Sequence, residues 1–135
     1  MSYSIQQLEG IGPVQTRKLH DAGVTTTDQL LAACGSASGR ASFAGEHGMD
    51  EAELLRYANL CDLMRVSGVG EEYSDLLEAA GVDTVKELRN RDAANLTAAM
   101  AEKNAERPLV RVLPTESEVV GWISQAKELE PRVTH

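Results

Sequence analysis

Residues 8–32 read LEGIGPVQTRKLHDAGVTTTDQLLA, and residues 66–90 read VSGVGEEYSDLLEAAGVDTVKELRN. At an offset of 58 residues, Gly10 pairs with Gly68, Gly12 with Gly70, Leu19 with Leu77, Ala22 with Ala80, Gly23 with Gly81, Val24 with Val82, Thr26 with Thr84 and Leu30 with Leu88. Ile11 and Val69 match conservatively. The identities fall on glycines and apolar positions, which direct the backbone and fill a core, so what repeats is a backbone plan.

Each copy reads as a turn, a helix, a break and a second helix. Gly10-Ile11-Gly12 makes a tight connection with Ile11 turned inward, and Pro13 suits the first helical position, where a missing NH costs nothing. The helix is expected to run to Ala22 and stop at Gly23 in the left-handed conformation, with Val24 folding back as its apolar contact. Thr25 and Asp28 then read as a T-x-x-D box opening the next helix through Leu30 and Leu31. In the second copy Gly81-Val82 repeats the stop, and Asp83 is the expected cap.

Working outward, residues 35–39 (GSASG) read as a loop and residues 40–47 as a short helix stopped by Gly48. Asp50 and Glu53 read as a capping box for a helix carrying Leu54, Leu55, Ala58, Cys61 and Leu63. Gly48-Met49-Asp50 echoes Gly23-Val24-Thr25. Asp92 can cap a helix through Met100 to the region of Asn104, and residues 108–114 (PLVRVLP), with prolines at both ends, read as a surface strap. Thr115 and Glu118 box the start of a last helix, in which Val119, Trp122, Ile123, Ala126 and Leu129 recur at helical spacing before Pro131. The fold class expected is all-α, with roughly nine or ten short helices and no sheet. Two fused units, residues 1–64 and 65–135, are expected to share one compact core.

Composition narrows the function classes. The chain has 135 residues, 42% hydrophobic and 25% charged, which suits a packed domain and argues against wholesale disorder. Aromatics are only 4%, so the core must come from aliphatic side chains. Thirteen Lys and Arg against 21 Asp and Glu give a net charge of -8, which opposes tight binding to nucleic acid or an anionic membrane except through a local basic patch. Cys34 and Cys61 form no C-x-x-C pair and signal neither a zinc site nor a disulfide framework. Short apolar runs and no basic-then-apolar N-terminus lead us to expect a cytoplasmic protein without membrane contact.

Catalytic signals are few. His20, His47 and His135 lack ligand-spaced partners, and the carboxylate pairs Asp50/Glu51 and Glu71/Glu72 sit at helix starts, where capping accounts for them. No phosphate-cradling loop, nucleophile elbow or metal motif occurs. The expectation is therefore a protein with no enzymatic activity, cofactor, metal or small-molecule substrate.

The string from Gly10 to Leu19 resembles the helix-hairpin-helix motif, in which an apolar-Gly-apolar-Gly turn joins two helices, and Gly68-Val69-Gly70 with Leu76 and Leu77 resembles a second example. The whole arrangement, including residues 112–129 (VLPTESEVVGWISQAKEL), resembles a bacterial family of unknown function built of tandem helix-hairpin-helix units, a SAM-like helical type. The resemblance implies that Gly10, Ile11, Gly12 and Gly23, with Gly68, Val69, Gly70 and Gly81, shape the hairpins. It also implies that, in a DNA-binding hairpin, backbone NH groups of the turn and helix start hold one phosphate beside a basic side chain. Here those residues are Gly10, Gly12, Val14 and Gln15, with Arg17 or Lys18 as the cation; Pro13 removes one donor.

The second hairpin departs from that pattern. In place of Pro13, Val14, Arg17 and Lys18 it carries Glu71, Glu72, Asp75 and Leu76. Three carboxylates at a helix start repel a phosphate, each by about 1 kcal/mol at close range in water. A symmetric duplex clamp is thereby excluded, leaving far fewer than the ~6 to 10 phosphate contacts that give substantial affinity. Lys86, Arg89, Arg91, Lys103, Arg107 and Arg111 alternate with Glu87, Asp92, Glu102 and Glu106 and read as a mixed surface. Related hairpins serve as DNA clamps or as protein-docking domains. The expected function is a protein-interaction or scaffold module using Glu71, Glu72, Asp75 and, where exposed, Trp122. The alternative is weak, sequence-independent duplex binding through the first hairpin.

Overall fold

A computed structural model describes residues 2–135; its regular elements are all helices, with no strand among the described residues beyond one antiparallel bridge between Ser4 and Thr26. A single 3-10 turn, Ile5–Gln7, precedes α1 (Pro13–Asp21), α2 (Thr27–Cys34), α3 (Ala37–His47) and α4 (Glu51–Leu63). The second half holds α5 (Glu71–Ala79), α6 (Val85–Leu88), α7 (Ala93–Glu106) and α8 (Glu116–Glu128).

The repeat is realised in the backbone. Helices α1 and α5 are both nine residues long. Each ends in a Schellman motif: Gly23 (φ +84°) lets Val24 NH donate to Leu19 O at 2.8 Å, and Gly81 (φ +92°) lets Val82 NH donate to Leu77 O at 2.9 Å. Both valines are buried, so each stop also fixes a core contact. Only glycine reaches these angles without a Cβ penalty, which is why the pairs Gly23-Val24 and Gly81-Val82 recur intact.

Several local expectations shift. The box opening α2 is Thr26 with Gln29, one residue on from Thr25 and Asp28. The Gln29 carbonyl oxygen accepts from both Thr25 NH (2.8 Å) and Thr26 NH (3.2 Å), which Asp28 is too short to do. Thr84, not Asp83, caps α6 by accepting from Glu87 NH. Residues 37–39 belong to α3 and not to a loop, because Ser36 caps the helix at Gly39 NH (3.0 Å). Asp50 does precede α4, but its side chain makes no cap bond, and Glu53 instead accepts from the Tyr57 hydroxyl. Helix α8 closes at Glu128, ahead of Pro131.

The expectation of one shared core is corrected. The buried apolar side chains form two clusters, one around Leu19, Leu30, Leu54, Leu60 and Met64, the other around Leu63, Leu76, Leu77, Leu96 and Trp122. Consecutive residues Leu63 and Met64 point into different clusters, so the end of α4 is where the two halves meet. Packing of α4 on both α2 and α5 makes it the shared wall. The chain then returns: Val133 is buried in the first cluster, and Thr134 NH donates to Gly35 O at 2.9 Å. Beside it, the buried Arg40 guanidinium donates to the carbonyls of Cys34, Gly35 and Thr134.

Two glycine substitutions separate conformational from packing effects. A Cβ at Gly23 or at Gly45 would meet nothing within 4 Å, yet Gly23 has positive φ and Gly45 lies inside α3. Gly23→Ala should lower stability by about 1–2 kcal/mol, and Gly45→Ala should raise it by about 1 kcal/mol, both read from urea unfolding.

Candidate functional site

At the first turn the Gly12 carbonyl starts α1, accepting from Thr16 NH (3.0 Å) and from the Thr16 hydroxyl (2.9 Å). The NH groups of Gly12, Val14 and Gln15 have no acceptor among the described residues. Their helix start therefore presents open donors and the positive end of the dipole. Arg17 is exposed and pairs with no described residue, whereas Lys18 is already used: its ammonium donates to Gly48 O at 2.8 Å, capping the end of α3. Of the two candidate cations, one is free and one is structural. Gly10 is backed by Arg56, whose guanidinium lies 3.2 Å from where a Cβ would stand and donates to Glu9 O at 2.7 Å. Ile11 is partly buried against the first cluster.

On the outer face of α1, Pro13, Val14, Arg17, Lys18 and Asp21 line a depression of about 360 Å³. Val14 is 59% exposed there. A neighbouring hollow of about 460 Å³, lined by Ile11, Gly12, Thr16, Arg17 and His20, opens at the turn itself.

The second turn carries a counterpart. Gly68, Gly70, Glu71, Glu72, Tyr73, Arg111 and Val112 line a depression of about 530 Å³. The strap at residues 108–114 forms its far side. Asn104 anchors the strap by accepting from Leu109 NH (2.7 Å) and Val110 NH (3.0 Å), and the Tyr73 hydroxyl donates to Val112 O at 2.8 Å. Val112 and Leu113 are left 71% and 40% exposed. The prolines marked this segment as a strap, but its docking beside Glu71 and Glu72 depends on Asn104 and Tyr73, whose side chains give no local sign of that role.

Glu71 and Glu72 are exposed, as an interaction role requires, but Asp75 and Trp122 are not free. Asp75 faces the Arg56 guanidinium at 3.7 Å, next to Glu78 at 3.0 Å from the same group. Burial, then the nearby Glu9 and Glu78 carboxylates, raise its pKa above the ordinary value, with Arg56 and Arg107 acting against them. Trp122 is 4% exposed, with its ring 5.3 Å from Tyr73 and its indole NH against Gly68. It is a packing residue of the second cluster and not a surface anchor.

No group of three or more His, Cys, Asp or Glu is placed to hold a metal among the described residues, and no described helix is long and apolar enough to cross a membrane. Cys34 and Cys61 are buried, and burial pushes the Cys34 thiol up to about 11 and raises that of Cys61 further. Both are poor nucleophiles at neutral pH.

Two measurements check this description. Neither thiol should react with a chromogenic disulfide at pH 8 in the native protein, and both should react in urea. Because the folded pKa of Asp75 is raised, its ionised form opposes folding, so stability falls as pH rises through that pKa. Asp75→Asn should therefore melt above wild type at pH 7, and the gap should close near about pH 3, where the wild-type carboxyl is protonated in both states.

No curated protein and no solved structure matches this chain. One family model does, over residues 9–129, a span that takes in both copies of the repeat, the strap and α8. Since that match covers most of the chain, the protein belongs to the family described as domain of unknown function DUF4332.

Proposed function

We propose that the chain is a tandem helix-hairpin-helix binding module of bacterial, cytoplasmic type, without enzymatic activity, and that its ligand is a protein. The observation carrying this reading is the exposure of apolar side chains beside both turns, Val14 at the first and Val112 at the second, with exposed Leu113 next to it on the strap. Exposed aliphatic groups gain from burial against a partner, at about 25 cal/mol per Å² removed from water, and gain little from a hydrated phosphate. The acidic pair Glu71/Glu72 adds repulsion toward any polyanion. Two unpaired buried thiols accord with a reducing compartment.

A second reading has its own support. The open donors of Gly12, Val14 and Gln15 beside Arg17 form the elements of a single phosphate contact. Such a contact would give a log–log salt slope of only about -0.9.

Anisotropy of a labelled duplex at low salt decides between them. Under the protein reading the duplex stays free; salt-sensitive binding that disappears in Arg17→Glu would overturn it. In affinity capture after nuclease treatment, proteins retained by the wild-type chain should be lost by Val112→Asp, Leu113→Asp. Unchanged retention would count against the strap as part of the surface.

A further inference from the structure

The two depressions carry inverse charge patterns. On α1, exposed Val14 shares its depression with two cations, Arg17 and Lys18, the latter hydrogen-bonded to Gly48 O, and one anion, Asp21. At the second turn, exposed Val112 is surrounded by two anions, Glu71 and Glu72, and one cation, Arg111. The sign of every charge is reversed, minority charge included, while both centres are apolar. The two faces coincide in the repeat at the helix starts, where Pro13 and Val14 correspond to Glu71 and Glu72, while Arg111 and Val112 come from the strap.

We propose that the partner of each face is the other face on a second copy of this chain, so that the protein self-associates with the first hairpin of one molecule against the second hairpin of another. The inference deepens the protein-binding reading above and rests on it. Apolar contact between Val14 and the Val112 strap supplies the burial, and the charges set register by placing Arg17 toward Glu71 and Glu72, and Asp21 toward Arg111, while the Lys18 ammonium, held at Gly48 O, adds positive potential to the same face. Self-pairing of like faces is disfavoured, since it would bring Glu71 and Glu72 of two molecules together. The net charge of -8 repels copies at long range, but at about 0.1 M salt that repulsion is screened beyond about 10 Å while touching pairs retain their attraction. The contact is heterologous: it closes into a two-fold pair where both faces meet at once and otherwise extends the assembly.

Sedimentation velocity of the purified chain tests this, from about 1 μM to about 1 mM at about 0.1 M salt. Wild type should show a concentration-dependent rise in mass. Arg17→Glu and Glu71→Lys, Glu72→Lys should each weaken association by about tenfold or more when alone, because each turns attraction into repulsion at one face. Mixed in equal amounts, they should associate again, since each reversed face then meets its complement. Far-UV circular dichroism confirms that the variants are folded; if the α5 double variant is not, Val112→Asp on the exposed strap replaces it as the variant expected to be monomeric. A monomeric wild type, an unaffected single-face variant, or a mixture that stays monomeric overturns the proposal. Those results concern the chain alone and leave the capture of a different protein intact, whereas duplex binding lost in Arg17→Glu would overturn the protein reading itself.

Discussion

The carboxylate of Asp62 holds the fold together. It lies at the end of α4 with no exposed surface, an environment that costs an ion several kcal/mol unless its lone pairs are filled. One oxygen accepts from Val85 NH at 2.9 Å and the other from the Arg65 guanidinium at 2.6 Å. Helix α6 has only four residues, too few to persist alone, so its first donor is satisfied from the other half of the molecule. Arg65 in turn donates to Glu130 O at 2.9 Å, passing the same constraint to the segment after α8. One buried group thus fixes α6 and the returning C-terminal segment relative to α4.

Arg56 repeats the device one face away. From α4 it reaches back to Glu9 O in the first turn and forward to Glu78 and Asp75 on α5. Together with the docking of Val133 and Thr134 on the first half, these contacts tie two apolar clusters that share no side chain into a single body. For the binding function proposed above, the consequence is geometric. The face around Val14 and the face around Val112 stand in a fixed relation, so a ligand that engages both meets surfaces already in place, with little ordering entropy to offset.

The repeat was legible because glycine and proline announce backbone geometry directly: Gly23-Val24 and Gly81-Val82 are the stops they appear to be, and Pro13 begins α1. Caps in a run of similar residues were less so. Among Thr25, Thr26 and Thr27 composition does not choose, and the reach of Gln29 does. The division of the core was hidden because α4 buries residues on nearly every side, from Leu54 to Leu63, and so reads as the centre of one cluster while walling two. Asp62 and Arg65 are three residues apart and visible as a local pair, but their other partners, Val85 and Glu130, and the partner of Arg56 on α5, Glu78, lie more than 20 residues away and leave no local pattern. At the candidate site the open donors and Arg17 were visible, but the engagement of Lys18 with Gly48 and of Asp75 with Arg56 depends on tertiary placement.

If the pins at Asp62 and Arg56 unite the clusters, the halves must unfold together. Trp122, the only tryptophan, reports the second cluster alone, while far-UV circular dichroism reports helices of both. Urea unfolding of the wild-type chain followed by both signals should give one coincident transition, and Asp62→Ala should move both midpoints down together, with a loss of about 3–5 kcal/mol. Tryptophan and dichroism transitions that separate in the wild-type chain, or an Asp62→Ala variant that shifts the Trp122 signal alone, would contradict this account.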